Sequence, residues 1–562
     1  MFVPAVVVKH QGKKYDVEVD TSSTGEMFKY QMFSLTGVEP ERQKILIKGV
    51  LKDETELSTL GLKNGQAIMM MGTPGSAGLV RPTEKTKFVE DMTEAEAAQQ
   101  AGATPAGLVN LGNTCYLNST LQTLRSIPEL QTSLSQYEYR QSNLTDSIPQ
   151  LDLTRQLKDL YKYMSETQDS MQPITFLSAL RLAYPQFAER SKTGHGYAQQ
   201  DAEEAWSQIV SQLNQKLTLK AGEGSEGGGG GGGEVSFINK YMGGEFESTL
   251  ECDDPAAVEA GEKAVTTREP FIKLSCHIDS QTNHLRDGIV NGLKEQIEKK
   301  SEVLGRDATY TKTSKISRLP KYLTVHFVRF FWKRDQQKKA KILRKVSFPA
   351  ELDIVEFCTP ELKKALVPVR DKIREVRKDE EDIDRARKRR KKNPHDDGEP
   401  SAPAPAPAQG KKKDDKKPAQ PSADGDVEMG ETYKTDAEFE AEKDAALLRA
   451  KKELHALIDP ELIKDDGANQ SGLYELRGVV THQGASADSG HYTAYVKKTA
   501  SKDPKTGKTG DEDGNWWWFN DDKVTEVSAD KIATLVGGGE THSALILLYK
   551  AIPLPDAEGI TQ

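Results

Sequence analysis

Cys115 and His491 are the two side chains on which nucleophilic chemistry could be built. Cys115 closes the run Gly107-Leu108-Val109-Asn110-Leu111-Gly112-Asn113-Thr114-Cys115, and Tyr116-Leu117-Asn118 follow it. The glycines and asparagines predict a tight loop. Leu117, Leu121, Leu124 and Ile127 then repeat at the spacing of one helix face, so a helix is expected over 116–127. The cysteine falls at the N-terminus of that helix, where unpaired backbone N–H groups and the helix dipole favour a thiolate and lower the thiol pKa. The same N–H groups can donate to an oxyanion, and the Asn110 amide can add a donor. Read alone, the loop fits a small buried cysteine equally well.

A thiolate nucleophile needs a base, and the base needs a third group that fixes its tautomer. Residues 473–496 predict a strand, a small-residue loop over Gln483–Ser489, and a second strand opened by His491. Residues 516–524 read as an aromatic strand ending in polar side chains, of which Asn520 and Asp521 can each hold an imidazole. Successive side chains of a regular strand face opposite ways, so only one of the two can do so.

These residues must be positioned by a large domain. The 562-residue chain is long enough for two or three domains, and its net charge of −9 with 29% charged residues argues against a global nucleic-acid binder. The mean hydropathy is −0.64, no apolar run approaches a membrane span, and no basic leader precedes one, so a cytosolic or nuclear protein without membrane contact is expected. The four cysteines (Cys115, Cys252, Cys276, Cys358) contain no CxxC pair, which disfavours a disulfide framework or a four-cysteine zinc site.

Residues 3–72 alternate as strand, Gln11-Gly12 turn, strand, helix (24–35), strand (44–47) and last strand (67–71). A glycine-rich break and an acidic, Ala-rich stretch follow and read as a linker. From Gly107 to Tyr549 a second region carries two insertions expected to be mobile: residues 221–234, with seven consecutive glycines, and 365–445, with charge blocks and Ala-Pro repeats. The basic run Arg385–Lys392 reads either as an import signal or as a solvated charge run, its field partly cancelled by acidic flanks. Gly507-Lys508-Thr509 is no phosphate loop, because Lys502 stands where its first glycine is required.

Gly107–Asn118 and Gly490-His491-Tyr492 resemble, without a gap, the cysteine and histidine boxes of the ubiquitin-specific protease family, and Gly196–Glu204 is similar to its intermediate Gln-Gln-Asp segment. The resemblance implies an α+β fold: a papain-like thumb, palm and fingers domain over 105–551, with helices carrying Cys115 and a sheet carrying His491. It carries the nucleophile onto Cys115, the base onto His491, an oxyanion donor onto Asn110 and the third position onto Asn520, with Asp521 the rival. It places Asp201 at an acidic contact to the ubiquitin tail and Tyr492 beside the tail channel. Many members hold their fingers with zinc; Cys252 and Cys276 lack the paired spacing, so no metal or other cofactor is expected.

The block 1–73 resembles a ubiquitin-like β-grasp domain through Arg42–Gly49, with Leu46 at the position of the surface apolar patch and Met71 near its last-strand member. The chain runs on past Met71 without a terminal Gly-Gly, which makes the block a docking module. A ubiquitin-like domain (1–73), a linker (74–104), a protease domain (105–551) and a short tail (552–562) is the order found in proteasome-associated members. The resemblance therefore implies a monomeric deubiquitinase acting on ubiquitin conjugates, docked on the proteasome regulatory particle through Leu46 and Met71. A catalytically idle scaffold and a protease for another ubiquitin-like modifier are the competing readings; a papain-type general protease has a different cysteine signature.

Overall fold

The structure, a computed structural model, describes residues 4–47, 49–72, 93–98, 102–139, 152–191, 196–220, 234–333, 338–392, 436–486, 489–499 and 512–556. Most of the expected 74–104 linker, residues 221–233, the Ala-Pro repeats and Gly507-Lys508-Thr509 lie outside these residues. The chain divides into two compact units, Met1–Asp91 and Met92–Gln562.

In the first unit the strand Ala5–His10 pairs antiparallel with Lys13–Glu18 and parallel with Ala67–Met71, which in turn pairs with Lys44–Leu46. The helix Gly25–Thr36 packs Phe28 and Met32 onto the inner face, against Val6, Val8, Val17, Ile45, Ile68 and Met70. Alternation does the sorting: in Ala67–Met71 the residues Ile68 and Met70 point inward, and Met69 and Met71 are left on the surface. This is the β-grasp arrangement expected from the sequence.

The second unit is built on a mostly antiparallel sheet. Its main path runs Lys523–Val527, Trp516–Asn520, Ser489–Lys497, Leu473–Ser486, Ser543–Ala551, Tyr322–Val328 and Lys273–His277. Against it lies the helix Cys115–Arg125, which is buried almost all round rather than on one stripe. Its polar side chains are absorbed locally, Gln122 Nε2 donating to Ala106 O and Thr123 Oγ1 to Ser119 O. The approach to the sheet is close: a Cβ on Gly478 would lie 2.7 Å from Thr123 Cγ2. A separate four-stranded sheet, Lys294–Lys300, Asp307–Arg318, Gly244–Cys252 and Val265–Phe271, supplies the extended fingers. Among the described residues no three His, Cys, Asp or Glu side chains are grouped to hold a metal.

The expected mobile insertion at 365–445 is corrected at both ends. Residues 360–392 form one helix, Pro360–Lys392, and a second helix, Asp436–Ala456, returns along it. Leu362, Leu366, Val369, Ile373 and Val376 recur at alternating four- and three-residue steps and are buried, Val369 and Ile373 in one cluster with Leu454, Ile458 and Leu473. Ion pairs from Lys372 to Glu453 (3.2 Å), Lys451 to Glu380 (2.7 Å) and Arg387 to Asp444 (2.9 Å) run along the seam. Charge dominates the composition, yet the stripe is enough to order the pair. Truncating Ile373→Ala should loosen this arm by about 2–5 kcal/mol, as a cavity in a small core does. Limited proteolysis should then cut within 360–456 faster while hydrolysis of a ubiquitin substrate is unchanged; an unaltered digestion rate would show that the stripe does not hold the arm.

Candidate active site

Cys115 is the first residue of its helix and is buried. The loop before it is folded by Asn110, whose Oδ1 accepts from the N–H groups of Gly112 (3.0 Å) and Thr114 (3.1 Å). Asn113 adopts φ +54°, a left-handed conformation that asparagine tolerates well. Asn110 Nδ2 donates to Asp521 Oδ2 at 3.0 Å, and Asn118 Nδ2, one turn into the helix, donates to Asp521 Oδ1 at 2.8 Å. The Asp521 carbonyl accepts from Leu108 N–H (3.0 Å). Gly107 meets this same turn so closely that a Cβ would stand 2.4 Å from Asp522 O. Asp521 therefore clamps the cysteine loop to the sheet.

The histidine strand starts at Ser489, so His491 is its third residue rather than its first. Its Nε2 lies 2.6 Å from Asn520 Oδ1. An amide oxygen only accepts, so this contact keeps the ring proton on Nε2 and leaves Nδ1 as the basic nitrogen. The aromatic strand ends at Asn520, and Asp521 turns the chain at φ +53°. Strand alternation thus stops between the two rivals: Asn520 faces His491 and Asp521 faces Asn110 and Asn118.

The backbone N–H of Tyr492, the next residue along the strand, is among the groups that favour the Cys115 thiolate. The expectation of a depressed thiol pKa is corrected here. Burial pushes the Cys115 thiol up to about 11, and the Asp521 charge adds to the rise; the N–H groups of Tyr492, Tyr116 and Cys115 act the other way and do not outweigh them. The Tyr492 side chain is buried, its ring centroid 4.6 Å from that of His482.

Asp201 caps the helix Ala202–Lys216, accepting from Glu203 N–H at 2.9 Å. The stretch before it spans two parts of the site: Asn113 Nδ2 donates to Tyr197 O (2.9 Å), and Gln199 Nε2 donates to Gly490 O (3.1 Å). The small-residue loop expected over Gln483–Ser489 is mostly hairpin. One strand runs on to Ser486, the next begins at Ser489, and the register shifts between Gln483 and Ser486. Lys341 Nζ donates to His482 O (2.7 Å) and Gly484 N–H to Glu540 O (2.8 Å), tying this hairpin to its neighbours.

A family profile described as ubiquitin carboxyl-terminal hydrolase matches residues 106–549. The chain belongs to this family. A second profile, the ubiquitin family, matches residues 6–75. The chain is 41% identical to ubiquitin carboxyl-terminal hydrolase 6 of Schizosaccharomyces pombe over 98% of its length and 99% of that protein's. It is 38% identical to ubiquitin carboxyl-terminal hydrolase 6 of Arabidopsis thaliana over 98% and 99%. It is also 32% identical to ubiquitin carboxyl-terminal hydrolase 14 of Caenorhabditis elegans over 98% and 94%. As a ubiquitin carboxyl-terminal hydrolase the protein is a deubiquitinating cysteine protease that acts on ubiquitin substrates.

Sequence reasoning missed three contributing residues. Asn118 was visible within the cysteine motif, but its tie to Asp521 spans 403 residues. Gln199 was visible within the Gln-Gln-Asp segment without a reason to single it out. Met69 accompanies Met71, Val50 and the half-buried Leu46 on the exposed sheet face of the ubiquitin-like unit, and the alternation in Ala67–Met71 was the signal that could have found it.

Proposed function

We propose that the protein is a proteasome-associated deubiquitinase that cleaves the isopeptide bond after the terminal glycine of ubiquitin through a thioester on Cys115. The observation that carries this reading is the 2.6 Å contact of His491 with Asn520, on a strand that packs against the helix begun by Cys115. His491 Nδ1 takes the thiol proton as the sulfur attacks the glycine carbonyl. The oxyanion is held by the Cys115 N–H and by the Asn110 Nδ2 hydrogen not spent on Asp521. As the intermediate collapses, the C–N bond breaks and His491 protonates the departing lysine amine. Water, deprotonated by the same histidine, then attacks the thioester and releases ubiquitin with a free carboxylate. Asp201 and the backbone around Tyr492 flank the path of the tail. No metal or organic cofactor enters these steps. Peptide mapping of a ubiquitin–vinyl sulfone adduct tests the reading: the label belongs on Cys115, and a label on Cys252, Cys276 or Cys358 overturns it.

Proteasome docking is supported by the module order and by the apolar face of Leu46, Met69 and Met71 on a small sheet. Deleting residues 1–73 should abolish co-sedimentation with proteasomes while the basal rate on a fluorogenic ubiquitin substrate stays within about twofold, because the active-site contacts all lie within the second unit. In the full chain, adding proteasomes should raise that rate, since the hairpin at 483–489 stands next to His491 and a partner can shift its population. Wild-type co-sedimentation of the truncated chain, or equal rates for the full chain free and bound, would remove the respective proposal. A cytosolic and nuclear location goes with this role.

A further inference from the structure

The segment Gly196–Gln200 is held on one side and reaches across on the other. Ala198 N–H donates to Glu189 O (2.9 Å), and the Tyr197 ring lies under the guanidinium groups of Arg181 (3.5 Å) and Arg190 (4.7 Å). Gln200 turns back and donates to Gln186 O at 3.0 Å. Gln199 alone points away, and its Nε2 meets Gly490 O, 291 residues distant, at 3.1 Å.

Gly490 is required by the hairpin that carries it. Its φ of +142° favours glycine, and a Cβ there would lie 2.2 Å from Gln483 O and 2.5 Å from His482 Nε2. Gly490 is an exposed residue and directly precedes His491. A peptide tail entering between the cysteine loop and the histidine strand loses water from its own N–H groups, and each one left unpaired costs about 1–3 kcal/mol. The backbone acceptor beside the base is already taken, by a carboxamide N–H of the same chemistry as a peptide N–H.

We propose that Gln199 is a specificity-determining gate, its side-chain N–H occupying Gly490 O in the free enzyme in place of the peptide N–H of ubiquitin's terminal glycines. The tail displaces Gln199 and takes over the acceptor, so an acyl group without a properly placed N–H cannot offset the lost bond. This inference rests on the proposed pairing of Cys115 with His491.

The test compares Gln199→Ala and Gln199→Met, the second keeping side-chain length without a donor, in the full-length enzyme with a fluorogenic ubiquitin substrate. A neutral hydrogen bond contributes a net of about 1 kcal/mol, so KM should fall roughly fivefold in both variants with kcat unchanged. Iodoacetamide alkylation of Cys115 at high pH should match wild type, since the gate acts on the tail rather than the thiol. A fall in KM for Ala but not Met makes Gln199 a steric plug and overturns the exchange of hydrogen bonds. An unchanged or raised KM in both also overturns it. If Ala melts at a lower temperature than wild type, the Met variant decides. Failure of ubiquitin–vinyl sulfone to label Cys115 in the wild type would sink the catalytic assignment instead, so the two failures are separable.

Discussion

Cys115→Ala is expected to lower kcat on a fluorogenic ubiquitin substrate by about a thousandfold or more, the scale seen when a covalent nucleophile is removed and only binding and the oxyanion donors are left. Ubiquitin affinity should persist, because the thiol is buried and presents almost no surface to a partner. The pH dependence of the wild type carries a second expectation. The thiolate is the species that reacts with iodoacetamide, and burial raises the Cys115 thiol to about 11, so reactivity is lost as pH falls below that value. Alkylation of the free enzyme should therefore climb about tenfold per pH unit from neutrality upward. In the proposed mechanism hydrolysis should not follow that curve, since His491 removes the proton during attack and a standing thiolate is not required. Wild-type turnover by the alanine variant would end the assignment of Cys115. Fast alkylation at neutral pH with no further rise would show a preformed thiolate–imidazolium pair.

The thiol pKa also marks a limit of what the sequence could tell. Helix start, loop and local N–H donors were legible from Gly107–Asn118 because they are contiguous, and their local effect has the sign expected. Burial is a property of the assembled core, in which Cys115 packs with Tyr116, Leu117 and Tyr492, and it reverses the net shift. The same division holds elsewhere. The β-grasp strands could be read from short-range alternation, whereas the role of Asp521 depends on a turn that brings residue 521 against residues 110 and 118. In the helical arm the error went the other way: a regular stripe was present from Leu362 to Val376, but dense charge around it suggested a segment with nothing to bury. Periodicity, not average composition, was the informative quantity there.

Asn520 and Asp521 are adjacent, and their variants should fail in different ways. Asn520→Ala removes the acceptor 2.6 Å from His491 Nε2, so the ring loses both its orientation and the partner that stabilises its protonated form. A hydrogen bond to a charged group contributes about 1.5–3 kcal/mol, which corresponds to a fall in kcat of roughly 10- to 150-fold. Cysteine tolerates the neutral amide in this position because it needs less help from its base than a serine does. Asp521→Ala leaves that contact in place but removes the acceptor of both Asn110 Nδ2 and Asn118 Nδ2. In the proposed mechanism Asn110 is an oxyanion donor, and loss of its positioning costs about a hundred- to a thousandfold in kcat, so this variant should be the slower of the two. The thiol separates them further. Asp521 raises the Cys115 pKa through its charge, so Asp521→Ala should move the alkylation curve to lower pH, making the thiol more reactive as turnover falls. Asn520→Ala carries no charge change and should leave that curve where it is. A kcat unaffected by Asn520→Ala, alongside a lost imidazole-dependent limb in Asp521→Ala, would transfer the orienting role to Asp521.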